Sequence, residues 1–481
     1  MLSACGSTVG LSGASGQLQA QSGDLNGFGG AKQSSNRDGQ SLQTQTPGDA
    51  GTTGASSGPG SSADANAATG GATGFPGQVV AASKKPIEVG FEVANAAKTQ
   101  AFLKALGVSG TAVDDKVYVQ ALVNDLNKRG GLAGRQVVPV YYVLDPTRTE
   151  PYAQFMAEMY ATWTQDHHVV AAFTSANLDW SQLAVCLQKK HVVLGTFGAW
   201  ARDKGDYVTS PDWFDPAMLA SEGLGPAYVS IPDSLGYFGR FSKVGLLVYD
   251  YPQSAKLAAV IKRELAVRHI TLAAEQQIHM ATSTPELSST ITAAQAAVLK
   301  FKALGIDHVM SAAYPGAAVF FMLQAQQQNY FPRYALTSYE GLVATASTAP
   351  KQQLKHAVGV GFLPFGGDVQ LPQAPPLNVA EERCQKIYRA AGISKNDAYA
   401  GVNYCDFVRM IELGAIASKG EFSVVDWLAH GIEGIGGHPV AVGFSGLLTA
   451  TKHDGANAVR GMTFADGCSC WTFTGPVVQV Q

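Results

Sequence analysis

The sequence lacks the long apolar runs and the charge imbalance that mark two common classes of protein. No stretch of 18 or more apolar residues occurs without interruption, although a membrane-spanning helix requires one. The 34 basic and 37 acidic residues nearly cancel, which leaves a net charge of −3 over 481 residues. Such a balance provides no field that would attract nucleic acid. We therefore expect neither a spanning helix nor a nucleic-acid partner.

Several catalytic and cofactor motifs are also missing. The chain contains no HExxH zinc motif, no GxxxxGK[ST] phosphate loop and no GxGxxG dinucleotide fingerprint. His167 and His168 follow a predicted helix without partners at metal-ligand spacing, which favours solvated or capping roles for both. We therefore expect a protein that is not an enzyme and that holds no cofactor and no metal.

Charged and aromatic residues are rare near the beginning of the chain. Between Gly6 and about Ser83 the only aromatic residues are Phe28 and Phe75, and most other residues are Gly, Ser, Ala, Thr or Gln. A segment of this composition buries too little apolar surface to offset the entropy lost on ordering. We therefore expect residues 1–85 to form a disordered tether with a root-mean-square span of about 50 Å. A tail without a mechanical role predicts the same composition.

The first residues of the chain resemble the lipobox of bacterial lipoproteins. Two small residues directly precede Cys5, and Leu2 lies before them. In that family a signal peptidase cuts before the cysteine, which carries diacylglycerol. The resemblance implies an exported protein that is anchored through Cys5 to the outer face of the cytoplasmic membrane, at the cell surface or in the periplasm. The alternatives are a chance cysteine near the terminus and, because few residues precede Cys5, a misassigned start or a trimmed signal.

Five further cysteines suggest disulfides, which are typical of exported proteins. Cys384 and Cys405 lie on successive helical patterns and are the preferred pair. Cys468 and Cys470 would point the same way on a strand, and a bridge between such near neighbours would be strained, so the sequence leaves their pairing open. Cys186 has the pattern of a buried helix residue. A four-cysteine zinc site is disfavoured because the CxxC spacing is missing.

After Pro86 apolar strand-like runs alternate with helical patterns. The first set predicts strands at 87–91, 137–144, 169–173 and 191–195, and helices at 114–128, 152–164 and 183–188. The second set predicts strands at 243–249, 270–275, 308–312 and 334–337, and helices at 255–269, 289–304 and 317–327. Strands that alternate with helices require parallel crossovers, so each set predicts a doubly wound sheet. A third section is purely helical, at 379–391, 399–419 and 424–432, and should cover one of the lobes.

The segment from Leu122 to Arg135, followed by a strand and Asp145, resembles the first helix and turn of type I periplasmic binding proteins, the branched-chain amino-acid receptors of ABC importers. Residues 173–176, 194–198 and 248–251 fall at the ligand loops of that family, and residues 338–341 and 453–455 also match its pattern. The resemblance extends from about Pro86 to the C-terminus. It depends on the order and spacing of these pieces rather than on one motif.

This resemblance implies an α/β fold of two doubly wound parallel-sheet lobes, between which the chain crosses three times. We place the crossings near residues 207–213, 360–365 and 436–444. The expected first lobe combines residues 86–212 and 366–440. The second combines residues 213–365 and 441–481.

Ligands of open α/β sheets bind beyond the carboxyl ends of the strands. In the first lobe, Glu92 is expected to shape the rim of the site. The candidates for ligand contact there are Thr174, Ser175, Asn177, Thr196 and Gly198. Free N–H groups at a helix start favour a carboxylate, although Ser175 or Asn177 could equally cap its helix.

In the second lobe the candidates are Tyr249, Asp250, Tyr251, Tyr314 and Glu340. Aromatic rings can close over a ligand, and carboxylates can hold an ammonium group. By resemblance, Glu340 occupies the place of the ammonium-binding acid of the family. The alternatives are a structural hydrogen bond for Asp250 and an exposed loop charge for Glu340.

The resemblance implies an extracytoplasmic solute-binding receptor of an ABC importer. Such a receptor binds a small polar ligand between its lobes, here an amino acid or a related amide or carboxylate, and passes it to permease subunits. We expect it to act as a monomer. The alternative is a surface sensory or adhesive domain that binds a ligand but is not coupled to transport.

Overall fold

The computed structural model describes residues 85–105, 113–176, 178–198, 201–279, 281, 286–312, 316–363, 365–366, 369–370, 376, 378–394, 401–419 and 424–480. These residues belong to one compact unit. The expected tether, apart from Lys85, lies outside them, as do Cys5, Asn177 and Tyr314. No helix in these ranges is both long and apolar enough to cross a bilayer.

The first sheet is built from alternating strands and helices. In chain order the elements are β1 Ile87–Ala94, α1 Ala96–Ala105, α2 Lys116–Lys128, β2 Val137–Leu144, α3 Tyr152–Ala161, β3 Ala171–Thr174, α4 Ser181–Gln188, β4 Val193–Thr196, α5 Lys204–Thr209 and β5 Trp213–Phe214. The five strands are parallel in the order β2-β1-β3-β4-β5. This arrangement confirms the predicted doubly wound sheet. The sheet extends to Phe214, past the expected lobe boundary at residue 212. Strand β5 could not be predicted because two residues are too few to show the alternation of apolar and polar residues typical of a strand.

The second sheet repeats this pattern and then changes direction. Its first part contains α6 Ser221–Ser234, β6 Val244–Tyr249, α7 Pro252–Val267, β7 Leu272–Ile278, α8 Leu287–Ala303, β8 His308–Ser311, α9 Ala317–Gln327, β9 Arg333–Thr337, α10 Leu342–Thr348, α11 Lys351–Leu354 and β10 Val358–Gly361. Strands β6 to β10 are parallel, which again confirms the predicted sheet.

The last part of the chain adds helices to the first lobe and strands to the second. Its elements are β11 Phe365–Gly366, β12 Val369–Gln370, α12 Val379–Ala390, α13 Val402–Ala417, α14 Trp427–Glu433, β13 Gly436–His438, β14 Gly446–Leu448, β15 Ala458–Ala465 and β16 Cys470–Gln479. Strand β15 pairs antiparallel with β10, and β16 with β15, so the second sheet is mixed, in the order β16-β15-β10-β9-β8-β6-β7. The antiparallel edge follows from the short turn between β15 and β16, which leaves no room for a crossover.

The helical section covers the first sheet, as helices without a sheet of their own require. Helices α12 and α13 contact α2, and α13 also contacts β3. The Phe407 ring of α13 stacks on Phe173 at 4.9 Å between centroids. A Cβ at Gly195 of β4 would lie 2.4 Å from that ring, so only glycine permits this approach.

Two disulfides join described cysteines. One links Cys384 of α12 to Cys405 of α13, which is the pair preferred from the sequence. The other links Cys468 to Cys470 in the turn between β15 and β16. The sequence left this pairing open, and the turn allows it because it brings the two Cα atoms to 5.2 Å, within the usual range for a disulfide. Cys186 is buried on α4.

Candidate functional site

The carboxyl ends of the two parallel sheets face each other. Gln253 lies in the first turn of α7, which follows β6, and its Nε2 donates to the Ser181 hydroxyl of α4 at 2.8 Å. The same nitrogen lies 3.4 Å from the Asp179 carboxylate, which precedes α4 and follows β3. Gln253 is buried, with 6% of its surface exposed. This contact therefore joins the two sheets at the position where α/β sheets bind ligands.

A second contact joins the lobes on the same side of α7. The Lys256 ammonium lies 2.6 Å from a carboxylate oxygen of Asp206 and 3.1 Å from one of Asp203. Asp203 is the N-cap of α5, and its side chain also accepts from the Asp206 backbone N–H at 2.9 Å. These two carboxylates keep the pKa of Lys256 above its usual value, against the opposing effect of burial.

The first-lobe loop after β3 is held by an internal carboxylate. Glu92 is buried and accepts from the backbone N–H groups of Ser175 at 2.8 Å and Ala176 at 3.1 Å. The Ser175 hydroxyl also lies 3.1 Å from the Tyr404 hydroxyl. Burial raises the pKa of Glu92 to about 7, against these hydrogen bonds. Glu92 thus takes the N–H groups that the sequence analysis assigned to a ligand carboxylate.

Thr174 and Gly198 differ in what they offer a ligand. Thr174 is fully buried at the end of β3, and its hydroxyl has no hydrogen-bond partner among the described residues. Gly198 follows β4 with a φ of +73°, a conformation that glycine adopts without strain. The buried Thr174 hydroxyl is therefore the group in this loop that an added hydrogen bond would stabilise most.

Thr196 belongs to a buried cluster at the first crossing between lobes, which we call the hinge cluster: Thr196, Arg202, Tyr207 and Asp215. The Asp215 carboxylate accepts from Thr196, from Arg202 at 2.9 Å and from Tyr207 at 2.7 Å. Its backbone N–H donates to the His453 carbonyl at 2.9 Å, which ties it to the loop between β14 and β15. The Thr196 hydroxyl is therefore bonded to Asp215 in the hinge cluster and is not available to a ligand.

Three of the second-lobe candidates lie at the end of β6 or just after it. Tyr249 is buried, and its backbone N–H donates to the Ser254 hydroxyl at 2.8 Å. Asp250 is exposed and lies 2.8 Å from the His279 ring nitrogen. Tyr251 is half-buried, and burial together with the nearby Asp179 carboxylate raises its pKa. Tyr251 therefore lies at the inter-lobe contact, whereas Asp250 has a structural partner at the surface.

Glu340 is not an exposed loop charge. It ends a 3-10 turn at Ser338–Glu340 with 3% of its surface exposed. Its Oε2 accepts from the Thr337 backbone N–H at 2.8 Å and from the Thr337 hydroxyl at 2.9 Å. Its Oε1 accepts no hydrogen bond from the described residues. Burial raises the pKa of Glu340 to about 8, against the hydrogen bonds from Thr337.

Sequence reasoning missed the residues that organise the site. Arg202, Asp215 and Gln253 were not among the candidates, and Glu92 was assigned only to the rim. Asp215 carried a readable signal, since it interrupts an apolar run between Phe214 and Met218. Two further candidates, Asn177 and Tyr314, lie outside the described residues.

Comparison with known families and structures agrees with the fold. The sequence matches the family described as periplasmic binding protein over residues 109–374. No protein of curated function matches the sequence.

Solved structures with a similar fold include a branched-chain amino-acid ABC transporter protein from Thermus thermophilus with bound valine. It is 12% identical, with 83% of this chain and 97% of that chain covered and a TM-score of 0.58. A solute-binding protein from Rhodopseudomonas palustris HaA2 in complex with p-hydroxybenzoic acid is 13% identical, with coverage of 82% and 98% and a TM-score of 0.58. At such identities the likeness shows the fold.

Proposed function

This chain belongs to the periplasmic binding protein family, and from that premise we propose that it is the extracytoplasmic solute receptor of an ABC importer. The observation that carries the proposal is the contact between the start of α4, which follows β3, and the first turn of α7, which follows β6. It brings the carboxyl ends of two separate sheets together around one cleft. A receptor that closes on a small ligand and passes it to permease subunits requires this arrangement.

We propose an amino acid or a related small amide or carboxylate as the ligand. The facing lobes each contain a buried polar atom without a partner among the described residues, the Thr174 hydroxyl and the Glu340 Oε1. Buried polar atoms of this kind are stabilised when a ligand supplies the missing hydrogen bond. Because Glu92 already holds the Ser175 and Ala176 N–H groups, the ammonium group of the ligand, bound at Glu340, supplies the strongest contact.

We expect a thermal-shift screen of amino acids and small carboxylates to identify a stabilising ligand. A ligand at 100 times its Kd adds about 2.7 kcal/mol to the free energy of unfolding. In the complex the ammonium group of the ligand keeps Glu340 ionised. Glu340→Gln should then weaken binding by roughly 30-fold or more, since the loss of a desolvated charge pair costs about 2–5 kcal/mol. Calorimetry on folded variants measures the affinity.

The control for this experiment is Asp250→Asn, which changes an exposed carboxylate near the same lobe edge. It should alter affinity by less than about fivefold, because exposed pairs contribute at most about 1 kcal/mol. Near-native affinity of Glu340→Gln for an amino acid would remove Glu340 from the site. A screen in which no amino acid and no small carboxylate binds would reject the proposed ligand class.

We also propose that Cys5 anchors the receptor to the membrane through a lipid. Expressed behind a lipoprotein signal peptide, the protein should partition into detergent, and Cys5→Ser should release it or block its processing. Two acyl chains hold a protein stably, because each buried CH₂ contributes about 0.8 kcal/mol. Unchanged membrane association of Cys5→Ser would contradict the anchor. So would a mass spectrum that shows a disulfide between Cys5 and Cys186, because a thioether-linked sulfur cannot form one.

A further inference from the structure

Three potential metal ligands meet at the edge of the first sheet opposite the cleft. His191 lies two residues before β4, and Asp212 directly precedes β5. Asp426 is the N-cap of α14. One ligand atom from each of the three lies within 4.8 Å of the other two. We call this group the His191 trio.

Asp212 is the unusual member of the His191 trio. Only 8% of its surface is exposed, and its carboxylate accepts no hydrogen bond from any described residue. The charged or titratable side chains that act on it are Asp426, His191, His430 and Glu433. A buried carboxylate is costly unless it is paired or bound to a metal. Asp212 therefore has neither the hydrogen bonds nor the balance of charge that a buried carboxylate needs.

The two nearby histidines do not neutralise the Asp212 carboxylate fully, because each is already paired with another acid. The His191 Nδ1 lies 2.7 Å from the Asp426 carboxylate, so this imidazole is already paired with one acid. His430 lies on α14, one turn after the N-cap Asp426, and its Nδ1 is 3.3 Å from the Glu433 carboxylate. Each histidine is thus paired with one carboxylate, and no histidine remains to pair with Asp212.

We propose that the His191 trio binds a divalent transition-metal ion, with zinc the best fit, and that the ion fixes α14 to the first sheet. One imidazole nitrogen and two carboxylate oxygens are suitable zinc ligands, with bonds of about 2.0–2.2 Å. Such bonds place neighbouring ligand atoms about 3.4 Å apart, so small side-chain rotations bring the trio into range. The nitrogen ligand favours zinc over magnesium or calcium, which prefer oxygen alone.

The position of the trio assigns the ion a structural role. Ligands of this fold bind beyond the carboxyl ends of the strands, whereas His191 and Asp212 precede theirs. The three residues come from separate segments of the chain, which is why no motif predicted them. The proposal is independent of the solute that occupies the cleft.

Titration calorimetry with zinc chloride tests the proposal on the full chain after treatment with EDTA. We expect one equivalent of zinc to bind and to raise the melting temperature. His191→Ala and Asp212→Asn should each weaken zinc binding by about 100-fold or more, since even the loss of an outer-shell partner costs 10–100-fold. Without zinc, Asp212→Asn should melt no lower than the unchanged protein, because it removes a buried charge that lacks a partner.

The matched control is His356→Ala. His356 is exposed and has a φ of +64°, close to the +56° of His191, but it lies outside the trio. Its substitution should leave zinc affinity unchanged. The proposal is overturned if no zinc binds, if His356→Ala weakens binding as much as His191→Ala does, or if both trio variants bind zinc as the unchanged protein does.

Discussion

Arg202→Met is expected to lower the free energy of unfolding by about 3–5 kcal/mol. Arg202 and Asp215 are each 1% exposed and form an ion pair at 2.9 Å within the hinge cluster. Removal of one partner leaves the other charge buried and uncompensated, which is the costly way to break such a pair. The Arg202 guanidinium also lies 3.4 Å from the Trp213 ring centroid, so its loss removes a cation–π contact. Urea unfolding followed by circular dichroism measures the change.

Two further variants separate this effect from ordinary loss of a surface charge. Arg268→Met makes the same substitution at a partly exposed pair with Glu264 on α7, where about 0.5 kcal/mol is expected. Arg202→Met combined with Asp215→Asn should recover part of the stability, since it removes the stranded charge. Equal losses at Arg202 and Arg268 would show that the hinge cluster is not a special source of stability.

The folded protein is expected to lose stability as the pH rises from about 4.5 to about 8. Burial raises the pKa of four carboxyl groups to about 7 or 8: Glu92, Glu340, Glu381 and Asp406. In this range the native state keeps protons that the unfolded state has released, so unfolding releases protons and becomes more favourable at higher pH. As far as these groups are concerned, full stability is therefore present below their ordinary pKa values, which are 4.5 for the three Glu residues and 3.8 for Asp406.

Glu340 should account for a large share of this dependence. A shift from 4.5 to about 8 corresponds to about 4–5 kcal/mol at 1.36 kcal/mol per pKa unit. Glu340→Gln imitates the protonated acid and should flatten the profile of unfolding free energy against pH. Glu158→Gln, on the exposed side of α3, is the control and should leave the profile unchanged. A profile that rises with pH, or one that Glu340→Gln does not alter, would contradict this prediction.

The parallel parts of both sheets could be predicted because short apolar runs alternate there with amphipathic helices. Helix α6 could not, since Pro226 and Pro232 interrupt its pattern. The helix persists because Gly225 packs so closely on α7 that a Cβ would lie 2.3 Å from Val260. Strand β16 was hidden in a similar way, by Gly475 and Pro476 within it. In both cases tertiary packing overrides a local signal that predicts a break.

The site was harder to predict than the fold because its polar groups form hydrogen bonds with residues that are distant in the sequence. Ser175 and Thr196 were found by their positions after strands, but Glu92 and Asp215 hold them. Sequence position shows that a side chain reaches the edge of a sheet. It does not show which other side chain of the protein forms a hydrogen bond with it there.

The division of the first lobe into distant segments has a consequence during synthesis. Helix α12, the first of its covering helices, begins at Val379, about 165 residues after β5 ends at Phe214. At 5–20 residues per second, the ribosome needs about 8–33 s to make that stretch. Until α13 emerges, Phe173 has no Phe407 to cover it. The newborn first lobe therefore spends seconds with an apolar face that its covering helices do not yet shield.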